Sequence, residues 1–328
     1  MPENDIKQVE RLKEAASHIK QEIGKIIVGQ QEVVEQILIT LFSGGHGLIV
    51  GVPGLAKTMM INSLSQALNL SFSRVQFTPD LMPSDITGTE IIEEDRSTGK
   101  REFKFVKGPI FANIVLADEI NRTPPKTQAA LLQAMQEHQV TVGSQTYKLQ
   151  EPFFVLATQN PIEQEGTYPL PEAQLDRFMF MINIYYPSHK DELKIVAQNT
   201  SMYTNDIKPI LKSEDISALQ QLVRKVPAAD YVIDFAVRLA RATRPQETEL
   251  DYIKKWVRWG GGPRASMYLV LAAKTRAVLN GRLAPSIEDV KFVAYPVLRH
   301  RIITSFTAEA ENISTDAIID RLLKDVKE

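Results

Sequence analysis

The sequence has no cysteine, and this absence excludes several kinds of chemistry at once. Disulfides, thiolate metal sites and cysteine nucleophiles all require a residue that the chain lacks. The five histidines show no paired metal-ligand spacing, which disfavours a zinc site. The formal net charge of −2 and the isoelectric point near 6.3 give no overall attraction to phosphate backbones. Binding to nucleic acid regardless of its sequence is therefore disfavoured.

Long apolar runs are missing as well. No run approaches the ~18 residues that a membrane-spanning helix needs, and residues 1–20 are charged and polar rather than signal-like. We therefore expect no membrane span and a cytoplasmic location. The hydrophobic content of 44% and the charged content of 24% are those of an ordinary globular protein, so disorder and fibrous structure are not expected.

Short apolar runs alternate with helical patterns in the first half of the chain. Fully apolar runs separated by helical segments are typical of a parallel sheet that is covered by helices on both faces. We predict a doubly wound α/β domain over residues 1–187, which begins with an amphipathic helix over residues 6–27. The predicted buried strands are residues 47–50, 72–77, 114–117, 153–158 and 178–184.

Two β-hairpins and a helical domain complete the predicted architecture. Residues 91–106, around Gly99, and residues 140–154, around Gly143, interrupt the α/β alternation and have the pattern of hairpins. Strand signals stop in residues 188–328, which are predicted to form a smaller all-α domain. The predicted helices of this domain are residues 190–199, 213–225, 231–243, 264–280, 286–295 and 315–326.

A glycine-containing loop lies between the first predicted strand and the next helix. A phosphate loop needs small residues that let backbone N–H groups turn toward the phosphates, a lysine for the β and γ oxygens and a hydroxyl for magnesium. Gly51 and Gly54 are the small residues, Lys57 supplies the charge, and Thr58 supplies the hydroxyl. Ala56 stands where the general pattern has glycine, so it fits only with a φ that an L-residue can adopt. A chance Gly/Pro turn is the alternative, which the strand-loop-helix context disfavours. The predicted nucleotide-binding residues here are Gly51, Val52, Pro53, Gly54, Leu55, Ala56, Lys57, Thr58 and Met59.

Two acidic residues, Asp118 and Glu119, follow the predicted strand at residues 114–117. Taken alone, adjacent acids are typical of a solvated loop. After an apolar strand and a phosphate loop, they instead predict that Asp118, with Thr58, holds magnesium and that Glu119 orients and deprotonates the attacking water. Asn160 follows another strand, at the edge where ligands of open α/β sheets collect. It can hold the water or the γ-phosphate, and an Asn-Pro turn is the alternative.

Five motifs together resemble the MoxR family of AAA+ ATPases. They are Gly-Val-Pro-Gly-Leu-Ala-Lys-Thr from Gly51, Ala-Asp-Glu-Ile-Asn-Arg from Ala117, Ala-Thr-Gln-Asn-Pro from Ala157, Glu-Ala-Gln-Leu-Asp-Arg-Phe from Glu172 and Gly-Gly-Pro-Arg-Ala-Ser from Gly261. The match spans nearly the whole chain and includes Ala56. This resemblance implies an ATPase core with a helical lid, and a homo-oligomeric ring, usually hexameric, that binds ATP and Mg²⁺ at the junctions between subunits.

The same resemblance implies roles for residues that the sequence alone leaves open. Asn160 corresponds to sensor 1, Arg177 to the arginine finger that reaches the ATP of a neighbouring subunit, and Arg264 to sensor 2. Each arginine could otherwise be a surface charge, and Arg122 is the alternative for the finger. The segment that resembles the one packed against adenine is Val28, Gly29 and Gln30.

Resemblance to this family implies a chaperone-like ATPase that remodels, matures or activates protein clients, commonly ones with a von Willebrand A domain. The hairpins match inserts that the family shares with magnesium-chelatase motors and replicative helicases, which leaves those two functions as alternatives. A DNA motor should show an uncompensated basic stripe with stacking aromatics. The first hairpin instead mixes both signs of charge, in Lys100, Arg101, Lys104 and Lys107 beside Glu93, Glu94 and Asp95. A small-molecule kinase would leave the large second domain unexplained.

Overall fold

A five-stranded parallel sheet lies at the centre of the first half of the chain in the computed structural model, which describes residues 2–94, 101–163, 166–200 and 206–327. Along the chain, the strands are β1 (Gly47–Val50), β2 (Phe72–Gln76), β3 (Gly88–Glu94), β4 (Arg101–Lys107), β5 (Ile114–Asp118), β6 (Gln139–Val142), β7 (Gln145–Lys148), β8 (Phe154–Gln159), β9 (Phe180–Asn183), β10 (Val257–Trp259) and β11 (Ile303–Thr304). All five predicted strands are present, and they pair in the order β2-β5-β8-β1-β9. The prediction that each of them is buried is wrong for β2, where only Val75 is buried because the strand lies at the edge of the sheet.

Helices surround this sheet and make up most of the second half of the chain. They are α1 (Glu3–Gly24), α2 (Gln31–Phe42), α3 (Lys57–Ala67), α4 (Pro83–Thr87), α5 (Pro125–Glu137), α6 (Glu172–Leu175), α7 (His189–Asn199), α8 (Ser213–Lys225), α9 (Asp230–Ala242), α10 (Asp251–Trp256), α11 (Pro263–Leu279), α12 (Ile287–Leu298), α13 (Phe306–Ala310) and α14 (Thr315–Asp325). Within the described ranges, none of them combines the length and the apolar character needed to cross a bilayer.

Successive residues of the central strands pack into two separate hydrophobic clusters, one on each face of the sheet. In β1, Ile49 belongs to one cluster and Leu48 to the other. In β5, Leu116 and Val115 divide in the same way. Because both faces are covered, the strands are continuously apolar rather than alternating, which is why the sequence shows them so clearly.

One of these clusters also holds the two halves of the chain together. It includes fully buried side chains from the N-terminal helices and from the helices of the second half, such as Leu12 of α1, Leu38 of α2 and Leu269 of α11. Helix α11 packs against both α1 and α2. The central sheet ends at Asn183 and α7 begins at His189. The domain boundary between residues 187 and 188 remains a prediction, since a single core runs across it.

Two hairpins stand beside the sheet, as predicted. Strands β3 and β4 pair antiparallel, and so do β6 and β7, whereas the turn around Gly99 lies outside the described residues. The two hairpins touch, because the ring of Phe105 stacks on that of Tyr147 with centroids 4.0 Å apart. The prediction that the second domain is all-α is wrong at one place, where β10 and β11 form an antiparallel ribbon. These strands have three and two residues, too few to show an alternating pattern.

Candidate active site

The loop after β1 has the backbone that a phosphate loop needs. Residues 51–56 connect β1 to α3, and Lys57 is the first residue of that helix. A Cβ at Gly51 would lie 2.9 Å from the carbonyl oxygen of Ile184, so a side chain does not fit there. Gly54 has a φ of 84°, which favours glycine. The loop leads into a helix N-terminus, where backbone N–H groups and the helix dipole attract phosphate. The other predicted residues are Val52, Pro53, Leu55 and Ala56 in the loop, and Thr58 and Met59 in the first turn of α3.

Ala56 adopts the left-handed conformation that the general pattern assigns to glycine, with a φ of 56° and a ψ of 23°. Its Cβ makes this conformation unfavourable by about 1 kcal/mol. Glycine relieves this strain but makes the unfolded chain more flexible, at a cost of about 0.5–1 kcal/mol, so we expect Ala56→Gly to raise the free energy of unfolding by no more than about 0.5 kcal/mol in urea denaturation. The control Ala197→Gly, at an exposed position inside α7, should lower it by about 0.5–1 kcal/mol. A loss of stability in both variants would contradict the assigned strain.

The side chain of Lys57 lies within this loop. Its Nζ donates a hydrogen bond to the carbonyl oxygen of Gly51. Burial lowers the pKa of Lys57 from its usual 10.5, while the negative charges of Asp118 and Glu119 act in the opposite direction. The lysine is therefore close enough to both carboxylates to interact with them, and the first two motifs predicted from the sequence converge in space.

Asp118 ends β5, and both of its carboxylate oxygens accept hydrogen bonds from neighbouring strands. The hydroxyl of Thr158, at the end of β8, donates to Oδ1 over 2.6 Å. The guanidinium of Arg74, in β2, donates to Oδ2 over 2.7 Å. Strand β5 pairs with β2 on one side and with β8 on the other, which brings both donors alongside. The carboxylate is thus held at the carboxyl edge of the sheet.

Glu119 is fixed at the same edge. Its backbone has a φ of 58°, and its N–H donates to the hydroxyl of Thr158 over 2.9 Å. The side-chain amide of Gln76 donates to Oε2 of Glu119 over 2.7 Å, and Nε of Arg122 lies 3.3 Å from the same oxygen. Arg122 also forms an ion pair with Glu163. Polar neighbours in the same chain therefore position both the backbone and the carboxylate of Glu119.

Asn160 directly follows β8, which lies between β5 and β1 in the sheet. Its side chain is buried, and Oδ1 accepts a hydrogen bond from the N–H of Ile162 over 3.3 Å. Within the described part of the chain, the amide nitrogen Nδ2 has no hydrogen-bond partner. A buried donor left unpaired costs about 1–3 kcal/mol. Asn160 therefore offers an unused amide group, with two N–H donors, at the edge that carries the phosphate loop.

Arg177 and Arg264 lie at the opposite end of the sheet. They line a pocket of about 190 Å³ together with Gly45 and His46, which precede β1. The phosphate loop follows β1, whose four residues span about 13 Å. Arg264 donates to Oδ2 of Asp176 over 2.7 Å. The structure brings the two arginines together on this surface, here called the arginine face, but brings neither of them to the phosphate loop of its own chain.

Comparison with known proteins accounts for this combination of features. A family model described as "ATPase family associated with various cellular activities (AAA)" matches residues 46–180, and one described as "AAA lid domain" matches residues 253–322. Chaperone MoxR1 of Mycobacterium tuberculosis is 44% identical over 93% of this chain and 80% of its own length. The chain belongs to the MoxR family of AAA+ ATPases.

Further relatives agree with this assignment. The protein YeaC of Bacillus subtilis is 42% identical over 93% of this chain and 92% of its own length. Protein MoxR of Methylorubrum extorquens is 30% identical over 88% of each chain. A crystal structure of a proposed ATPase from Cytophaga hutchinsonii is 43% identical, with a TM-score of 0.90 over 98% of this chain and 97% of that one. The fold is an AAA+ core with a helical lid.

In this MoxR-family chain, the segment predicted to pack against adenine connects α1 to α2. Its Gln30 donates a hydrogen bond to the carbonyl oxygen of Tyr185 over 3.1 Å. The preceding residue, Ile184, donates its N–H to the carbonyl oxygen of Val50, directly before the phosphate loop, over 2.8 Å. The segment is thus tied to the loop through the end of β9. A cavity of about 870 Å³ borders the segment at Val28, Gly29 and Gln30.

The predicted ligands of a magnesium ion fit the chemistry of that ion. In phosphate-transfer sites, Mg²⁺ is held by one or two protein oxygen ligands together with the phosphates and water. Asp118 offers a carboxylate at the end of β5, and Thr58 offers a hydroxyl in the first turn of α3. Both are oxygen donors, and both belong to elements that end or begin at the carboxyl edge of the sheet.

Three polar residues of this site were not singled out by the sequence: Arg74, Gln76 and Thr158. Arg74 and Gln76 occupy alternate positions of β2, so their side chains lie on one face of the sheet. Gln76 is paired with Asp118 in the register of β2 and β5. The sequence did contain one indication of their role: two polar side chains at alternate positions of a strand that was expected to be buried. Thr158 stands in the Ala-Thr-Gln-Asn-Pro motif, but nothing in the sequence indicated a contact with Asp118, because threonine is an ordinary strand residue.

Proposed function

We propose that this chain is a chaperone-like ATPase that hydrolyses ATP at the junctions between its own copies in order to remodel or activate partner proteins. The expected assembly is a hexameric ring, and the expected clients include proteins with a von Willebrand A domain. The observation that carries the proposal is the division of the site into two halves at opposite ends of β1. The carboxyl edge bears the phosphate loop and two carboxylates, and the amino edge bears the arginine face.

Each group at the carboxyl edge has a distinct task in this proposal. Lys57 and the N–H groups at the start of α3 bind the phosphates. Thr58 and Asp118 would hold Mg²⁺, which would supply positive charge to the phosphate oxygens. Glu119 accepts the proton of the attacking water. Asn160 uses its unpaired Nδ2 to hold that water or the γ-phosphate.

The arginine face is the second half of the proposed site, and it supplies positive charge for the transition state. Phosphoryl transfer spreads negative charge over the equatorial oxygens, and a positioned guanidinium stabilises it. Because Arg177 and Arg264 lie about the length of β1 away from their own phosphate loop, they serve the nucleotide of a neighbouring subunit. Arg122, the alternative finger, is already engaged with Glu119 and Glu163 of its own chain, which favours Arg177 for this role.

The charges of the first hairpin speak against a DNA motor. Among the described residues, Arg101 pairs with Glu94 over 3.1 Å and Lys104 pairs with Glu93 over 2.9 Å. The charges of these two basic residues are therefore neutralised by acidic partners, so they do not form a basic stripe that could follow a phosphate backbone. Filter binding to single-stranded DNA across a salt series checks the point, because a motor on DNA should bind at low salt and release the strand as salt rises. No observation favours a magnesium-chelatase role over protein remodelling.

If the site is shared between subunits, specific ATPase activity should rise with protein concentration as rings assemble. A monomer should be nearly inactive, because its nucleotide lacks the arginines of a neighbour. We would measure phosphate release over a dilution series and record the oligomeric state by native mass spectrometry under the same conditions. Lys57→Ala serves as the control without nucleotide binding. Constant specific activity in a protein that stays monomeric with ATP would refute the shared site.

A further inference from the structure

Arg301 is a buried arginine that holds the backbone around Arg177. Only 5% of its surface is exposed. Its Nη2 donates to the carbonyl oxygens of Asp176 and Phe178 over 2.9 and 2.7 Å, and its Nη1 donates to that of Met179 over 3.2 Å. These three acceptors flank Arg177 on both sides in the chain. One guanidinium therefore fixes the loop that carries the proposed arginine finger.

The carboxylate of Asp176 connects this buried arginine to the second arginine of the arginine face. Its Oδ1 accepts a hydrogen bond from Nε of Arg301 over 2.8 Å, and its Oδ2 accepts one from Nη1 of Arg264 over 2.7 Å. The last N–H of Arg301 donates to the carbonyl oxygen of Val297 in α12, and its guanidinium lies 5.1 Å from the ring centroid of Tyr268 in α11. All five N–H groups of Arg301 are thus used. Lysine, with three donors, could not reproduce this pattern.

The two proposed trans-acting arginines belong to different parts of the fold. Arg177 lies in the loop before β9, whereas Arg264 lies in the first turn of α11. A pair of arginines on separate elements would be misaligned by any small shift of one element against the other. Loss of alignment by ~1 Å is enough to slow an enzymatic step about 10²-fold. The bridge through Asp176 removes this freedom, because one carboxylate binds both sides.

We propose that Asp176 and Arg301 are positioning residues that hold Arg177 and Arg264 as one rigid unit, so that both arginines enter the nucleotide site of the neighbouring subunit together. This inference rests on the shared site proposed above. It predicts that damage to the unit impairs only the half of the site that a subunit lends to its neighbour. An ion cluster that merely stabilises the fold would impair both halves alike.

The first test is Asp176→Asn, which removes the charge that bridges the arginines while keeping the shape of the side chain. The variant should bind a fluorescent ATP analogue and assemble into rings as the parent does. Its kcat should fall about 10²-fold with an unchanged KM for ATP. The matched control is Asp234→Asn in α9, which breaks a pair between an aspartate and Arg238 that spans 2.6 Å on the surface. This control should leave binding, assembly and kcat unchanged.

The second test asks which half of the site is damaged, by mixing variants within one ring. Asp176→Asn mixed with Glu119→Gln should recover part of the activity, because the first chain keeps its phosphate loop and the second keeps its arginines. Asp176→Asn mixed with Arg177→Ala should recover none, since both chains lack the same half. Native mass spectrometry confirms that the rings are mixed. Arg301→Lys is the second variant of the unit, and it should behave as Asp176→Asn does in both mixtures.

The reference mixture, Arg177→Ala with Glu119→Gln, separates failure of this inference from failure of the proposed function. If the reference recovers activity but Asp176→Asn with Glu119→Gln does not, the positioning unit is refuted and the shared site stands. If the reference itself stays inactive, both proposals fall together. Weakened ATP binding by Asp176→Asn and Arg301→Lys would also overturn the inference, because the cluster would then serve the fold or the chain's own nucleotide.

Discussion

An Arg177→Ala chain should bind ATP as tightly as the parent but hydrolyse it about 10³-fold or more slowly in assembled rings, the usual effect of removing an arginine finger. Binding should survive because the chain keeps its own Lys57, Asp118 and Glu119. Phosphate release gives the rate, and a fluorescent ATP analogue gives the affinity. Arg238→Ala, which removes a half-exposed arginine from α9, is the matched control and should leave both quantities unchanged.

Two results would contradict this expectation in different ways. Normal hydrolysis by Arg177→Ala rings would make Arg177 a surface charge. A slow rate that is not recovered in mixed rings with Glu119→Gln chains would contradict the shared site, unless hydrolysis requires every junction of the ring to be intact. Recovery in these rings, by contrast, would require that the two halves of one site come from two chains.

Glu119→Gln should keep ATP binding and ring formation but lose hydrolysis by about 10²- to 10⁴-fold, the range found when a general base is removed. Glutamine preserves the size of the side chain but cannot take the proton of the attacking water. Asp118→Asn should behave differently and weaken the dependence of activity on Mg²⁺. Lys57→Ala should lose nucleotide binding itself. Equal loss of binding in both carboxylate variants would contradict this division of tasks.

The same Glu119→Gln variant can test the remodelling role. Because it should hold ATP without hydrolysing it, it should retain partner proteins in the ATP-bound state, whereas Lys57→Ala should not. A captured protein counts as a client only if its addition also raises the ATPase rate of the parent chain. Equal capture by both variants, or capture without an effect on the rate, would contradict ATP-driven remodelling of that protein.

The sequence predicted those elements of the fold that have a recognisable hydrophobic pattern. The central strands are continuous apolar runs, so their positions were predicted within one or two residues, whereas their order in the sheet depends on contacts that no local pattern records. Helix α2 was not predicted from the sequence, because nine of its twelve residues are buried and residues 36–42 form one unbroken buried run without a polar face. The short ribbon of β10 and β11 depends on the packing of the lid helices and is too brief to leave a pattern.

The residues of the site were likewise predictable only where they form contiguous motifs. The phosphate loop and the two carboxylates are contiguous motifs, and the structure brings them together as expected. Thr158 and Arg74 reach Asp118 only because β8 and β2 flank β5, so their part could not be read along the chain. The position of Arg177 was implicit, because a residue before a parallel strand lies at the amino edge of the sheet. The position of Arg264 beside it depends on how α11 packs, which the sequence does not encode locally.

If the site is shared between subunits as proposed, the placement of its two halves at opposite ends of β1 gives the assembly of this chain a direction. Each copy would then offer its phosphate loop to one neighbour and its arginine face to the other, so the copies would follow one another head to tail. A two-fold symmetric pair would set like halves against each other and complete no site. An open row would leave the loop of one terminal copy without arginines, and only closure into a ring completes as many sites as there are chains. In such a ring every loop would receive its arginines from the same side, so a change passed from an occupied site to the subunit that inserts into it would travel around the ring in one direction only.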